Sequence, residues 1–484
     1  MLASTPRATI DDAIAAGAGE ALKAARAMAP AELLDLIEAS GLQGRGGAGF
    51  PAARKWRAVV ANSTPGAPTS VVVNAAEGEP GSFKDRSIIR ADPYLVIEGA
   101  LIGAHAVGAN ELVVATKRTF TIEADRLRTA IGEIRAAGWA GDVDVRFFVG
   151  PSEYLYGEET GLLEAIDGRP PFPRIAPPYR HGVDEVFDDP AEADAQFQTA
   201  AGIELAGPTA ESVGPPTLAG NVETFANVPG IITRGVDWFR SVGTERAPGT
   251  IVCTVTGATA RHGVGEFPMG TPLRDVIDAL GGGARPGREI VAVMSGVANP
   301  LVPATLLDVP VSYDDMREAG TGLGAAGFIV FDDADDLVAV AAGVARFLAT
   351  ESCGQCARCK EDGLAVAHLL GEISRSEAEA GALDKLNRRL ESVADGARCN
   401  LATQQQVVVG SILGLFPDAV RLHAEREADA IEPMLIAALV DIRDGRAVLD
   451  EKQAEKQPDW TYDQVDSGKW PADRLDDPRR PQSL

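Results

Sequence analysis

Cys353, Cys356 and Cys359 form a C-x2-C-x2-C run, and Cys399 follows 40 positions after the last of them. No other feature limits the fold as much, because four thiolates sharing one inorganic centre must converge whatever the chain does between them. Three thiolates at this spacing wrap one corner of a cubane, and a distant fourth closes the all-thiolate shell of a [4Fe–4S] cluster. The string SCGQCARCKEDG supports that reading. Gly354 lets the backbone turn beneath the sulfurs, and N–H groups at the start of a helix favour a negatively charged cluster. A structural zinc site is the competing reading, but such sites more often pair two CxxC elements or recruit histidine. The five histidines here are scattered, at 105, 181, 262, 368 and 423. Cys253 stands alone in a strand-like run and reads as a buried apolar filler.

Bulk composition narrows the setting. The chain has 484 residues with 45% hydrophobic content, enough for several domains with real cores. A net charge of −25 repels phosphate backbones, so a nucleic-acid partner is excluded. The N-terminus lacks an apolar core of signal-peptide length, and no long apolar run occurs. The expectation is a soluble, cytoplasmic chain without direct membrane insertion. Five cysteines in such a length do not make a disulfide framework.

Periodicity divides the chain. Residues 1–30 are Ala-rich and read as a flexible or helical lead-in. From 31 to 245 strands alternate with helices: strands at 71–74, 111–116 and 143–149, and helices at 93–108, 122–138 and 158–166. This predicts an α/β domain, broken at 180–216 by an acidic, proline-bounded insertion. Residues 246–335 read as short strands with one helix, PLRDVIDALGG, a β-grasp-like module. Residues 336–445 read as helices with the cysteines at their connections. The stretch 446–484 reads as a polar, extended tail, ordered only against a partner.

A second feature is the glycine run GRGGAG at 44–49. It matches G-x-G-x-x-G, but the preceding segment is helical and the first acid after it is Glu77, so the ordinary dinucleotide fingerprint fails its context. The physics that survives is close approach of backbone amides to phosphate oxygens, with Arg45, Arg54 and Lys55 nearby. A tight structural turn is the alternative.

Five motifs taken together carry a resemblance. GRGGAGFP…KW (44–56), N-x-x-EGEPG-x-FKDR (74–86), YLYGEETGLLEAIDGRP (154–170), GNVETFANVP (220–229) and SCGQCARCKEDG…C (352–399) resemble one family. It comprises the NADH-binding flavoprotein (51-kilodalton) subunits of respiratory complex I and of related NAD-linked hydrogenases and formate dehydrogenases. The resemblance spans roughly residues 30–440. It implies a Rossmann-like FMN domain, a β-grasp (SLBB-type) domain and a C-terminal helical bundle carrying an iron–sulfur cluster. The implied cofactors are FMN and a [4Fe–4S] cluster, with NAD(H) as substrate. The implied activity is that of an NADH dehydrogenase subunit, and no protein nucleophile or general base is required.

Carried over by motif, Gly44, Arg45, Gly46 and Lys55 look like FMN contacts, and Asn74 and Glu77 fall where the family touches flavin. Phe50 looks like an aromatic stacking on adenine, and Glu79 and Tyr179 match other nucleotide-site positions. Gly157, Glu158 and Glu159 match the loop facing flavin and nicotinamide, with Glu159 set to repel a 2′-phosphate. Asn221 and Thr224 match the FMN-phosphate loop. The chain departs from the family pattern at Ala58, Ala76, Tyr156, Ala176 and Gly220. With one cluster motif on this chain, the acceptor sits on another polypeptide, a [2Fe–2S] thioredoxin-like or ferredoxin-like subunit. Two rival readings stand beside this one: a family member with an altered flavin site acting as a one-electron relay or structural subunit, and a zinc-stabilised nucleotide-binding module.

Overall fold

In the computed structural model, which describes residues 1–3, 5–64, 69–175, 178, 182 and 216–474, valine-rich segments of the first half form a parallel sheet. Its strands are β1 (Ser70–Ala75), β2 (Glu111–Lys117), β3 (Asp144–Gly150) and β4 (Thr217–Asn221), in the order β3-β2-β1-β4. Alternate residues enter opposite layers, as the pleat requires. Val71, Val73, Leu112 and Val114 pack with the helices Pro30–Ser40 and Pro93–Val107, while Val72, Val113 and Ala115 meet Leu162 and Ile166 of the helix Glu159–Ile166. Because β4 joins on the far side of β1, the strand order reverses between them. The register there sets Asn74 directly beside Asn221. Open α/β sheets bind ligands in the crevice at the carboxyl ends of such strands.

The first residues belong to this domain rather than leading into it. Helices Ile10–Ala15 and Glu20–Arg26 bury Ala13, Ala21, Leu22 and Ala25 in the same core. Alanine packs helices closely yet contributes weak periodicity, which is why the segment reads as a lead-in from pattern alone.

A second sheet follows, of β5 (Thr250–Gly257), β6 (Gly263–Pro268), β7 (Ile290–Ser295), β8 (Val302–Pro303) and β9 (Gly327–Asp332) in the order β6-β5-β9-β7-β8. Its central pair β5/β9 is parallel and the other pairs are antiparallel, the β-grasp arrangement. The helix Leu273–Gly281 lays Leu273, Val276 and Ile277 against it. Cys253 is fully buried in β5, and burial pushes its thiol well up.

Helices Leu337–Glu351, Ala357–Ser374, Ala382–Ser392, Leu401–Leu415 and Pro417–Ala424 then build the third unit. Among the described residues no single helix is long and apolar enough to cross a membrane.

The expectation of an extended tail is corrected. A hairpin of β10 (Leu439–Arg443) and β11 (Arg446–Leu449) straddles the expected boundary at 445. Beyond it the chain folds back as a strap over the helical unit. Trp460 is fully buried, donates from Nε1 to Thr350 O at 2.9 Å and meets Phe172 edge-on at 5.7 Å. Lys456 Nζ reaches both carboxylate oxygens of Glu351 at 2.9 Å. All of these partners lie more than a hundred residues upstream, so no local pattern could disclose them. The insertion expected at 180–216 lies outside the described residues except at positions 182 and 216, and Tyr179 and Ala176 lie outside them as well.

Candidate cofactor sites

The helix Leu337–Glu351 ends at Ser352 and releases the cysteine loop. Gly354 adopts φ +83°, and a Cβ there would lie 2.6 Å from Trp470 Cβ, so glycine alone fits the turn. Cys356 caps the helix Ala357–Ser374, whose first turn carries Cys359. Cys399 arrives from the opposite side, just ahead of the helix Leu401–Leu415. All four cysteines line one small cavity, together with Leu155, Pro173 and Leu401. Both helices begin at this cavity, so their positive ends face it.

Among the described residues no group of three or more His, Cys, Asp or Glu is set to hold a single metal ion. Four thiols lining one cavity, with no histidine in its wall, fit an all-thiolate iron–sulfur cluster. Burial pushes three of the thiols up, Cys353, Cys359 to about 11 and Cys399 to about 12, so ligation must displace their protons. Ser352 Oγ lies 3.3 Å from Cys359 Sγ, and Gln355 Nε2 donates toward Cys353 Sγ at 3.4 Å. Hydrogen bonds to ligand sulfurs are one lever on a cluster's potential.

Sequence reasoning overlooked Lys360. Its buried ammonium donates to Ala349 O at 3.0 Å, Ser352 O at 2.8 Å and Pro458 O at 2.6 Å. It therefore pins the cysteine loop between the preceding helix and the strap.

The second site sits at the switch point between β1 and β4. The glycine run lies across it: Arg45 N donates to Thr224 Oγ1 at 2.8 Å, and a Cβ on Gly46 would stand 3.5 Å from Asn221 Cβ. Gly44 N is taken by Phe50 O at 2.8 Å, which closes the loop. Among the described residues, the amides of Gly46, Gly47 and Ala48 make no close backbone hydrogen bond, and Gly46 and Ala48 are exposed. Unpaired amides of a glycine turn at a sheet edge are the donor set a phosphate needs, so the residues present fit FMN.

Several side chains expected to touch a ligand are committed elsewhere. The Arg45 guanidinium is buried and donates to the carbonyls of Gln43, Pro248 and Thr250 at 3.0–3.3 Å. It ties the loop to the β-grasp unit, so Arg45 offers a ligand its backbone rather than its charge. Glu77 is buried too; it accepts from Ser82 Oγ at 2.6 Å and Arg86 Nε at 3.0 Å, and holds the EPG turn. Glu79 accepts from Tyr154 OH at 2.7 Å and Val297 N at 2.6 Å, binding the turn to the β-grasp sheet. Glu158 caps its helix through Thr160 N and Gly161 N, both at 2.9 Å.

The remaining groups stay at the rim. Asn74 Nδ2 donates to Gly157 O at 2.9 Å, which draws the 157–159 loop over the switch point. Lys55 and Glu159 form an ion pair at its edge. Phe50 is 45% exposed with Arg54 5.5 Å from its ring centre, leaving an aromatic face beside the glycine run. Asn221 Oδ1 caps the helix Val222–Arg234 through Glu223 N at 3.0 Å.

Two lysines at this site stand out only in the fold, Lys84 inside the 74–86 motif and Lys117 outside every motif. Lys84 is fully buried, 2.7 Å from Asp85 and 3.0 Å from Glu223. Lys117, at the carboxyl end of β2, is buried with its ammonium against Gly78, and burial pushes it down to about 8.

Some departures from the family pattern find a cause in packing. A Cβ at Gly220 would lie 2.5 Å from the Phe225 ring, so Phe225 occupies the space of a side chain there. Tyr156 is fully buried beneath the sheet edge and its hydroxyl donates to Thr116 O at 3.3 Å.

The two sites share one short segment. Leu155 lines the cysteine cavity, and Gly157, two residues on, holds Asn74 at the switch point. Tyr154 adds contacts on both sides, to Glu79 and, at 3.2 Å, to Gln404 Nε2 of the cluster unit.

Comparison with known proteins agrees with this geometry. A family model described as the Nuo51 FMN-binding domain matches residues 37–230, and one described as the NADH-ubiquinone oxidoreductase-F iron–sulfur binding region matches residues 339–423. The NADH-quinone oxidoreductase F-2 subunit of Rhizobium meliloti (strain 1021) is 35% identical, over 82% of this chain and 88% of its own. The NADH-quinone oxidoreductase F-type subunit of Aquifex aeolicus (strain VF5) is 34% identical, over 88% and 94%. The HndC subunit of the NADP-reducing hydrogenase of Solidesulfovibrio fructosivorans is 32% identical, over 86% and 81%. Among solved structures, an NAD+-reducing [NiFe]-hydrogenase in the H2-reduced state superposes with a TM-score of 0.72 at 29% identity. That match covers 87% of this chain and 65% of the hydrogenase chain, just under two thirds of its length.

Proposed function

The chain belongs to the family of 51-kilodalton, FMN-binding subunits of NADH-quinone oxidoreductases, and from that footing we propose that it oxidises NADH and passes the electrons to a partner redox subunit. When bound, FMN supplies two-electron acceptance from NADH and one-electron release, and the [4Fe–4S] cluster supplies one-electron storage. The observation that carries the reading is the shared segment: the wall of the four-cysteine cavity and the lip of the switch point are two residues apart.

The protein's own residues bind and orient. The amides of Gly46, Gly47 and Ala48 receive the phosphate, and Gly44 and Thr224 hold that loop in shape. Lys55 and Asn74 would hold FMN from the rim of the site, and Phe50 would offer its exposed face to adenine. Cys353, Cys356, Cys359 and Cys399 ligate the cluster. Glu77, Glu79, Glu158 and Asn221 act by positioning the loops that carry these groups. The partner is a [2Fe–2S] thioredoxin-like or ferredoxin-like subunit, and the complex is cytoplasmic, reaching a membrane only through partners.

The test is anaerobic reconstitution with iron, sulfide and FMN. NADH should then reduce ferricyanide, with flavin and cluster absorbance bleaching together. Bound FMN with no ferricyanide reduction would overturn the proposal. The committed Arg45 guanidinium favours a second reading, a one-electron relay with a weakened flavin site; the cluster band without flavin absorbance would establish it.

Selectivity gives a further expectation. Glu159 stands at the rim with Lys55, where a 2′-phosphate would meet its charge. Glu159→Gln should raise the NADPH/NADH ratio of kcat/KM on the order of tenfold, about 1.4 kcal/mol. Steady-state kinetics with both nucleotides checks this, and an unchanged ratio would remove Glu159 from nucleotide selection.

A further inference from the structure

The chain carries a net charge of −25, yet one groove beside the cluster is lined by cations. It runs between the helices Ala357–Ser374 and Ala382–Ser392, and its walls present Arg358, His368, Lys385, Arg388 and Arg389 without a carboxylate. Four of these groups are partly spent, His368 on Glu372 at 3.4 Å. Arg358 and Arg389 both reach the buried Asp362, at 3.5 and 2.5 Å, and Lys385 lies 3.8 Å from the exposed Glu379. Arg388 is exposed and has no ion pair among the described residues. The groove therefore keeps a positive surplus on a strongly negative molecule.

Its position matters as much as its sign. Arg358 lies between two of the cysteines, so the groove begins at the rim of the cluster cavity. On that rim Cys356 and Cys399 are partly exposed, whereas Cys353 and Cys359 are buried. Arg398, beside Cys399, is exposed as well. The flank beside Cys353 is covered by the strap: Trp470 stands on Gly354, and Ala472 N donates to Cys353 O at 2.9 Å. Arg358 thus joins the basic groove to the loop that carries the partly exposed Cys356.

We propose that this groove is the docking face for an acidic one-electron carrier protein, whose carboxylates ring its own redox centre. Opposite charge steers such a carrier to the rim and fixes its orientation, while the surrounding negative surface repels it elsewhere. The proposal rests on the reading that these four cysteines hold an electron-transfer cluster. In the encounter one electron passes between the carrier's iron–sulfur centre and the cluster, so that one is oxidised as the other is reduced. No proton or bond need change hands.

The experiment uses the reconstituted holoprotein with its cluster oxidised. It is mixed in a stopped-flow instrument with a reduced, acidic plant-type [2Fe–2S] ferredoxin, without NADH. Reoxidation of the ferredoxin should be fast at low salt and slow steeply as salt rises. In the Lys385→Glu/Arg388→Glu variant the low-salt rate should fall about tenfold or more, and in Lys385→Gln/Arg388→Gln by an intermediate factor. Lys23→Glu/Arg128→Glu, an equal charge change on the flavin domain, should leave the rate near the wild-type value. An unaltered electron paramagnetic resonance signal of the reduced cluster shows that each variant is folded. If the groove reversal slows the ferredoxin no more than the remote reversal, or if the wild-type rate ignores salt, the proposal is overturned. NADH–ferricyanide activity is untouched by these substitutions, so failure here and failure of the proposed function are read separately.

Discussion

Cys399→Ser should yield a folded chain that no longer holds a stable [4Fe–4S] cluster. The residue is the single ligand contributed from outside the 352–359 loop, and it completes the ring of sulfurs around the cavity. Changing a group that merely supports a metal ligand typically costs 10- to 100-fold in affinity, so losing a ligand should cost more than about a hundredfold. Iron and acid-labile sulfide should fall together, and electron transfer to a protein carrier should fall with them. Reduction of ferricyanide by NADH should survive in part, because a small acceptor can reach flavin directly. The helical core around Val366, Leu370, Val408 and Ile412 is built mostly of aliphatic side chains, so circular dichroism should stay near wild type. A variant that kept full iron and sulfide would remove Cys399 from the ligand set.

Lys456→Met should be the most destabilising single change in the strap. Lys456 and Glu351 are an ion pair with side chains only 3% and 2% exposed. Burial pushes the Glu351 carboxyl up, and the Lys456 ammonium more than reverses that, holding it below the usual range. Without the lysine, burial acts on an unpaired carboxylate, and breaking such a pair costs about 3–5 kcal/mol. That is a large share of the 5–15 kcal/mol by which proteins are usually stable. In the wild type the pair's contribution is full above the unfolded-state pKa and is lost as pH falls through the depressed native value. In the variant the native value is raised instead, so the penalty should be largest at neutral pH and fade below about pH 4. The double change Glu351→Met/Lys456→Met should recover most of the loss. Urea denaturation at pH 7 and pH 4 measures all of this; equal loss at both pH values would mean that packing, not charge, dominates.

Glu351 also accepts from Tyr154 N at 3.1 Å. The same variant should therefore loosen the segment that joins the two cofactor sites, not only the strap. Faster bleaching of the cluster in air would report it.

Local chemistry was legible in the sequence where it depends on spacing along the chain. The cysteine run, the consecutive valines of β1 and β2, the glycine turn and the helix-opening Glu158 all declare themselves within a few residues, because pleat, helix and turn are short-range geometries. The lead-in and the tail were misread for one reason. Their order comes from distant partners: Ala13 and Leu22 from the first core, Trp460 from Thr350 and Phe172, Lys456 from Glu351. Lys117 and Lys360 escaped notice because a lysine looks solvent-exposed until a fold buries it.

The sequence by itself determined the inventory: four thiols, free glycine amides and a run of strands and helices able to place them. Only the tertiary structure decided which charges remain free for ligands. It spent Arg45 on carbonyls and Glu77 on Arg86, and it set Leu155 and Gly157 on the walls of two different sites. The reason is that covalent order sets what a residue can do, whereas desolvation and pairing across the fold set what it is left to do.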